Sequence, residues 1–371
     1  MNEQLLMGML SGTSRDGVDA VLINFNGDAM DILHASCTPY PVAIKQTLDQ
    51  LLETGQPPDA NLTGLLDDNL GRFFARVAQN LAREAGMEMH DIFAIGSHGQ
   101  NVWHQPRGDH PRTVQLGNGP LMARNTGTTV VNNFRAADIQ AGGQGAPLAP
   151  LLHQHLFHSE IENRAVLNLG GIANLTLLPA HGEILGFDCG PGNCLMDAWT
   201  KRHLQQDYDR NGNWASKGKV DFALLNHWLQ EPYFGLSPPK STGLELFNMS
   251  WLDSRLLDTN GKTEPVDVQA TLAELTASSV AASLQGVMNA DRLLVCGGGA
   301  HNQLLMRRLA ANLPDVVVET TTRFGAIPDW VEGMLFAWLA KQRLAGIPMD
   351  TRHITGARQA VLLGDIFYPP A

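Results

Sequence analysis

Several short segments of this chain gather glycine, hydroxyl and carboxylate groups in spacings suited to phosphate chemistry. In SGTSRDGVDA (11–20), small and hydroxylated residues form a tight turn between two apolar runs. Gly12 and Gly17 let the backbone approach an anion. Successive N–H groups, with the hydroxyls of Thr13 and Ser14, can cradle phosphate oxygens. Asp16 and Asp19 could organise Mg2+ directly or through water. This is not a Walker A motif, because no Gly-Lys-Ser/Thr and no following helix are present; an ordinary hairpin loop is the plain alternative. NLGGIANLT (168–176) repeats the logic, and opposed to the first turn it could hold the outer phosphates. LLVCGGGAHNQLL (293–305) delivers a buried strand into Gly297, Gly298 and Gly299, where a flat ligand ring could lie on bare backbone; a tight strand-to-helix connection would look the same.

In GFDCGPGNCLMDAW (186–199), Asp188 ends a strand just before a Gly-Pro-Gly turn. A carboxylate there projects beyond the strand, where it can act as a general base or cap the turn. Asp197, inside the following helix, reads as structural. GSHGQNVWH (96–104) and NNFRAAD (132–138) place Ser97, His98, Gln100 and Arg135 beside apolar strands. These can hydrogen-bond a sugar, with Arg135 taking a carboxylate; His98 reads equally as a satisfied core histidine. His153, His155 and His158 lack the spacing of a helical metal pair and have no acidic ligand near in sequence.

The elements that must position these groups follow from periodicity. Apolar runs at 4–10, 18–25 and 30–36, broken by polar turns, predict an antiparallel three-strand meander. Helical spacing over 44–52 and 62–81 predicts two helices, and 92–99 a strand. The opening pattern recurs at 164–170, 175–179 and 183–190, which suggests two related halves. Beyond it, 271–288, 301–313 and 329–346 read as helices and 291–299 and 315–320 as strands, an alternation that indicates α/β layers.

Bulk properties narrow the classes. A chain of 371 residues suggests two domains. Net charge of −11 and a pI near 5.6 argue against nucleic-acid binding. Cys37, Cys189, Cys194 and Cys296 form no paired framework, which fits a reducing, cytoplasmic compartment. The first ten residues lack a basic n-region, and no apolar run approaches the ~20 residues needed to span a bilayer, so no membrane association is expected.

Taken together, MLSGTSRDGVD (9–19), GSHGQNVWH (96–104), FRAADIQAGGQGAPLAP (134–150), NLGGIANLT (168–176), FDCGPGN (187–193), YDRNGNWASKG (208–218), PPKSTGLELFN (238–248) and VCGGGAHN (295–302) resemble the anhydro-N-acetylmuramic acid kinase family of the acetate/sugar kinase–actin superfamily. The resemblance implies an α/β, two-lobed actin-like or ribonuclease H-like ATPase fold, each lobe a mixed sheet opening with the meander and flanked by helices. It places the first lobe at 1–133 with 345–371 and the second at 134–344, around a cleft. It implies that Gly12, Thr13, Ser14, Arg15, Asp16, Gly17, Val18 and Asp19 bind the phosphates of ATP. Gly170, Gly171 and Asn174, with Gly297, Gly298 and Gly299, complete the nucleotide site, and Mg2+ accompanies ATP; no protein-bound metal centre is implied. Asp188 corresponds to the catalytic base, and Ser97, His98, Arg135 and Glu332 to substrate-binding positions. The implied reaction opens the 1,6-anhydro bridge of an amino sugar with water and phosphorylates O6, in peptidoglycan recycling, by a cytoplasmic homodimer.

Arg15, Asn101 and Cys189 depart from the family pattern, where an apolar residue, Thr and Thr are expected. Two other readings stand beside this one: a hexosamine kinase of the same superfamily, and a non-kinase actin-like ATPase.

Overall fold

The computed structural model describes residues 4–12, 15, 17–53, 60–108, 111–257 and 263–370. The chain divides into two compact units, Met1–Leu152 with Trp330–Ala371, and His153–Asp329.

The first unit opens with β1 (Gln4–Ser11), β2 (Gly17–Asn26) and β3 (Ala29–Pro39), paired antiparallel. Helices α1 (Val42–Glu53) and α2 (Ala60–Glu84) follow. Next, β4 (Ala94–Gln105) returns parallel to β1, with β5 (Arg112–Leu116) folded back against it. After α3 (Gly119–Thr126) comes β6 (Thr129–Asn132), parallel to β4, and then α4 (Ala136–Gln140) and α5 (Ala149–Phe157), within which the division falls. The sheet runs β3-β2-β1-β4-β6-β12.

The second unit repeats the plan. Strands β7 (Arg164–Leu169), β8 (Ile172–Leu178) and β9 (Leu185–Pro191) form its meander. Helices α6 (Cys194–Leu204), α7 (Phe222–Trp228), α8 (Met249–Leu257) and α9 (Pro265–Gln285) precede β10 (Arg292–Cys296). Then α10 (Gln303–Asn312) leads to β11 (Val317–Thr320). The order is β9-β8-β7-β10-β11, with β10 parallel to both neighbours. Three antiparallel strands followed by parallel ones, in the same order twice, is the duplication that the recurring pattern suggested.

The chain then re-enters the first unit through α11 (Val331–Leu344), α12 (Arg352–Thr355) and β12 (Asp365–Phe367), which pairs with β6. The expected bounds at 133/134 and 344/345 differ from this division. The reason is α11, buried over nearly its whole length against the first sheet. A Cβ on Gly8 would lie 1.9 Å from the Gly333 carbonyl oxygen, and one on Gly96 1.9 Å from that of Phe336. The helix backbone therefore rests directly on β1 and β4. On the opposite side, Met7 and Met9 join Phe74, Val77 and Leu81 of α2 in one apolar core. A separate core in the second unit gathers Leu167, Leu175, Phe187, Trp228, Leu272 and Val295.

Local chemistry explains the element ends. Asn118 caps α3 by accepting from Leu121 N, with Pro120 in the first turn and Gly127 left-handed after the last. Asn302 caps α10, and Pro265 opens α9 six residues before the helical run expected at 271. The strand expected at 92–99 continues to Gln105 because β5 pairs with its polar second half.

Gly8→Ala should destabilise the first unit by about 3 kcal/mol or more, because backbone rather than a yielding side chain meets the new methyl. Gly64→Ala, inside α2 with open space around it, should instead stabilise by about 0.5–1 kcal/mol. Denaturant unfolding of the two variants checks both signs.

Candidate active site

In the second unit, three backbone turns meet at the same end of the sheet. The β7–β8 turn carries Gly170 and Gly171, the segment after β9 carries Gly192 and Asn193, and β10 delivers Gly297–Gly299. The Gly170 carbonyl accepts from Asn193 N at 2.8 Å, and that of Gly171 from Gly192 N at 2.9 Å. Asn193 Nδ2 donates to Leu169 O at 2.9 Å. Gly297 has φ 77°, and a Cβ there would lie 2.3 Å from Asn168 Oδ1; on Gly299 it would meet the Leu169 side chain at 2.6 Å. Gly298 faces open space. The turns read separately in the sequence are thus one hydrogen-bonded assembly with bare backbone exposed at Gly298, a surface suited to a planar ring.

Asp188 sits near the end of β9, opposite Asn174 of β8. Its amide donates to Lys240 O at 3.2 Å, and its Oδ2 accepts from Thr242 N at 3.0 Å. Its carbonyl accepts from Tyr233 Oη at 2.9 Å. Lys240 Nζ lies 4.9 Å from the centre of the Tyr233 ring. Burial raises the Asp188 carboxyl to about 6, partly offset by the Thr242 hydrogen bond and reinforced by the charge of Glu245. The carboxylate is therefore basic enough to take a proton and still ionised at neutral pH. The segment holding it, PPKSTGLELFN, carried the family resemblance but no residue singled out as chemical, since the backbone of Thr242 makes the contact.

Cys189, next to Asp188, is fully buried, and burial pushes its thiol up to about 12. Cys194 is likewise pushed up to about 12 by burial. Asp197 is raised to about 7 by burial and by the charges of Asp209 and Asp207.

The first unit holds a second constellation. Ser97 and His98 lie on β4, Arg135 immediately precedes α4, and Glu332 stands in the first turn of α11. Arg135 Nε donates to His98 Nε2 at 2.9 Å, and Arg135 Nη1 to Gly145 O at 3.3 Å. His98 Nδ1 lies 3.1 Å from Gly99 O, and its ring packs on Phe336 with centroids 4.7 Å apart. Burial and the neighbouring Arg135 hold His98 well below its usual range, so it is neutral. Burial lowers Arg135 to about 10, against the stabilising charge of Glu332. Ser97 is fully buried, and among the described residues its hydroxyl has no hydrogen-bond partner. Asp138 fixes the loop behind Arg135: it accepts from Gly145 N at 2.6 Å and Thr355 Oγ1 at 2.7 Å, and also from Thr351. That anchor also went unread, because two of its partners, Thr351 and Thr355, are more than two hundred residues away.

Of the first turn, Thr13, Ser14 and Asp16 lie outside the described residues. Gly12 accepts from Arg15 N at 3.2 Å, and Arg15 adopts φ 57°. Its side chain reaches Asp49 of α1 at 3.5 Å, and Lys45 Nζ donates to its carbonyl at 3.2 Å. A Cβ on Gly17 would lie 2.3 Å from Thr38 O, so the close approach at this glycine is to β3. Val18 is buried and Asp19 half-buried on β2. Asn101 Oδ1 accepts from Gln115 Nε2 at 2.6 Å. His153 is buried against Thr176 at 2.8 Å and lowered to about 3, a core histidine. Among the described residues, no three or more His, Cys, Asp or Glu side chains gather as a metal cage.

Two sheets of one order, glycine turns at a strand end and a basic carboxylate beside them define the class: an actin-like phosphotransferase. Comparison with known proteins narrows it. The family model described as anhydro-N-acetylmuramic acid kinase matches residues 4–369. A curated relative of that name from Xylella fastidiosa (strain Temecula1) is 47% identical over 366 residues, 98% of this chain and 96% of the relative. Another from Vibrio cholerae serotype O1 is 44% identical over 368 residues, 99% of each. Among solved structures, component A of (R)-2-hydroxyglutaryl-CoA dehydratase from Acidaminococcus fermentans is similar at a TM-score of 0.51 and 12% identity, covering 92% of this chain and 99% of that one; this likeness concerns the fold alone. The chain belongs to the anhydro-N-acetylmuramic acid kinase family.

With two thiols pushed up to about 12 and Cys296 buried, only Cys37 is open to reagent. Titration of the native protein with a disulfide reagent at pH 8 should modify one thiol rapidly, and all four only after denaturation.

Proposed function

We propose that the chain phosphorylates O6 of 1,6-anhydro-N-acetylmuramic acid with ATP while water opens the bridge between C1 and O6, as a step in peptidoglycan recycling. The observation that carries this reading is Asp188, a carboxylate raised to about 6 yet anchored on both sides of its backbone. Asp188 removes a proton from water as the water oxygen attacks C1. The C1–O6 bond breaks, and O6 takes the γ-phosphoryl group directly. The products are N-acetylmuramate 6-phosphate, ADP and the proton that Asp188 then releases.

The second unit supplies the base and, through Gly170, Gly171, Asn174 and Gly297–Gly299, part of the nucleotide site. Residues 12–19 of the first unit supply the phosphate turn, with Thr13, Ser14 and Asp16 assigned on family resemblance. Asp19 is the described carboxylate suited to hold Mg2+, which when bound neutralises phosphate charge. In the first unit, Arg135 meets the carboxylate of the sugar, Glu332 balances the Arg135 charge, and the unpartnered Ser97 hydroxyl completes its hydrogen bonding on a sugar oxygen. A cytoplasmic homodimer is part of the same proposal; that none of the four cysteines is in a disulfide fits a reducing compartment.

Turnover in ¹⁸O-labelled water should place label at C1 of the 6-phosphorylated product. Unlabelled product from a free hexosamine would make the chain an ordinary sugar kinase, and sugar-independent ATP hydrolysis would make it an ATPase. Asp188→Asn should lower kcat on the order of 10²–10⁴-fold while ATP still binds.

The pH dependence follows from the same residue. Its pKa of about 6 in the folded chain lies above the usual carboxyl value of 3.8, so ionisation opposes folding. This cost grows as pH rises from the lower value to the higher and is complete above it. Asp188→Asn should therefore melt higher than the parent at pH 8 despite its lost activity. For the parent, kcat/KM should fall below about pH 6, and Glu245→Gln, by removing a like charge, should move that limb to lower pH.

A further inference from the structure

Both nitrogens of the His98 ring are already engaged by protein. Nε2 accepts from Arg135 Nε at 2.9 Å, so Nδ1 carries the proton and donates to Gly99 O at 3.1 Å. The ring is 7% exposed and packed on Phe336. An imidazole in this state has no lone pair and no N–H left for a ligand. Protonation would set an imidazolium against the Arg135 guanidinium and destroy the acceptor.

Arg135, by contrast, has spare capacity. Its Nε is taken by His98 and one Nη1 hydrogen by Gly145 O, whose loop is fixed by Asp138. Contacts at Nε and at Nη1, on opposite flanks of the guanidinium, fix its plane and leave both Nη2 hydrogens and one Nη1 hydrogen. That is the bidentate geometry a carboxylate accepts. The neighbouring His104, hydrogen-bonded to Thr113 at 3.1 Å, is lowered to about 4 and is also uncharged at neutral pH. The groups facing Arg135 are thus two neutral rings and the Glu332 carboxylate.

We propose that His98 is a positioning residue: a neutral link between Gly99 and Arg135 that sets the guanidinium plane, so that Arg135 and Ser97, not the imidazole, meet the sugar. This rests on the reading above that Arg135 holds the sugar carboxylate, and it removes His98 from the substrate-contacting set that family resemblance implied.

The test is a double-mutant cycle on the full-length enzyme with Mg-ATP and 1,6-anhydro-N-acetylmuramate. His98→Phe removes the acceptor and should raise the sugar KM about tenfold or more, the usual scale for stranding one buried donor, with the KM for ATP nearly unchanged. His98→Gln restores an acceptor and should recover most of that loss. Arg135→Met should raise the sugar KM at least as much. Adding His98→Phe to Arg135→Met should then cost nothing further. A second readout is the imidazole ¹⁵N spectrum of the free enzyme, where His98 should remain the neutral Nδ1–H form from pH 5 to 8. Additive losses in the cycle, a failure of His98→Gln to rescue, or an Nε2–H or titrating ring would overturn the link. An Arg135→Met enzyme with unchanged sugar KM would instead overturn the role given to Arg135, and the function of the link with it.

Discussion

Each unit is organised around places where backbone meets backbone with no side chain between. In the first, α11 rests on β1 and β4 through Gly8 and Gly96, each leaving no room for a methyl beside a helix carbonyl. In the second, Gly297 and Gly299 press the loop after β10 against Asn168 and Leu169, and Asn193 ties the next turn to the same point. Close approach of this kind lengthens the reach of the hydrogen-bonding groups that remain, since amides come within contact of anything placed on them. The position of Glu332 depends on the first contact, and the exposed backbone at Gly298 on the second.

Desolvation is the second organising force. Asp188 and Arg135 are ionisable groups taken largely out of water, and each is shifted toward its neutral form by burial, Asp188 to about 6 and Arg135 to about 10. The remedies differ. Asp188 receives a single backbone hydrogen bond and a repulsive neighbour, Glu245, so it stays basic. Arg135 receives an attractive neighbour, Glu332, and neutral acceptors, so it remains charged. A base must be ready to change charge, whereas an anchor for a carboxylate must not. The two environments suit the roles proposed for these residues.

The shared strand order of the two sheets shows how one plan supports both tasks. The meander provides strand ends and turns, and the parallel strands beyond it bring in a segment from elsewhere in the chain. In the first unit that second part carries Ser97 and His98 on β4, and in the second it carries the glycines after β10. Chemistry is added where the copies diverge, in the loops and at the strand ends, while the cores conserve the layering.

The meanders, the long helices and the candidate Asp188 were legible in the sequence because alternation, helical spacing and turn chemistry are local signals. β5, β6, α7 and α8 were not, since brief elements take their shape from what they pair with. The units divide elsewhere than at the expected bounds because α11 is largely apolar from Val331 to Ala340, and only packing decides which sheet it covers. The sequence by itself determined the class of chemistry, through glycine, hydroxyl and carboxylate groups at turns. Only the tertiary structure decided which groups are in working order. It brought Thr242 to Asp188 across fifty-four residues, and it set Arg135 against His98 Nε2 across thirty-seven.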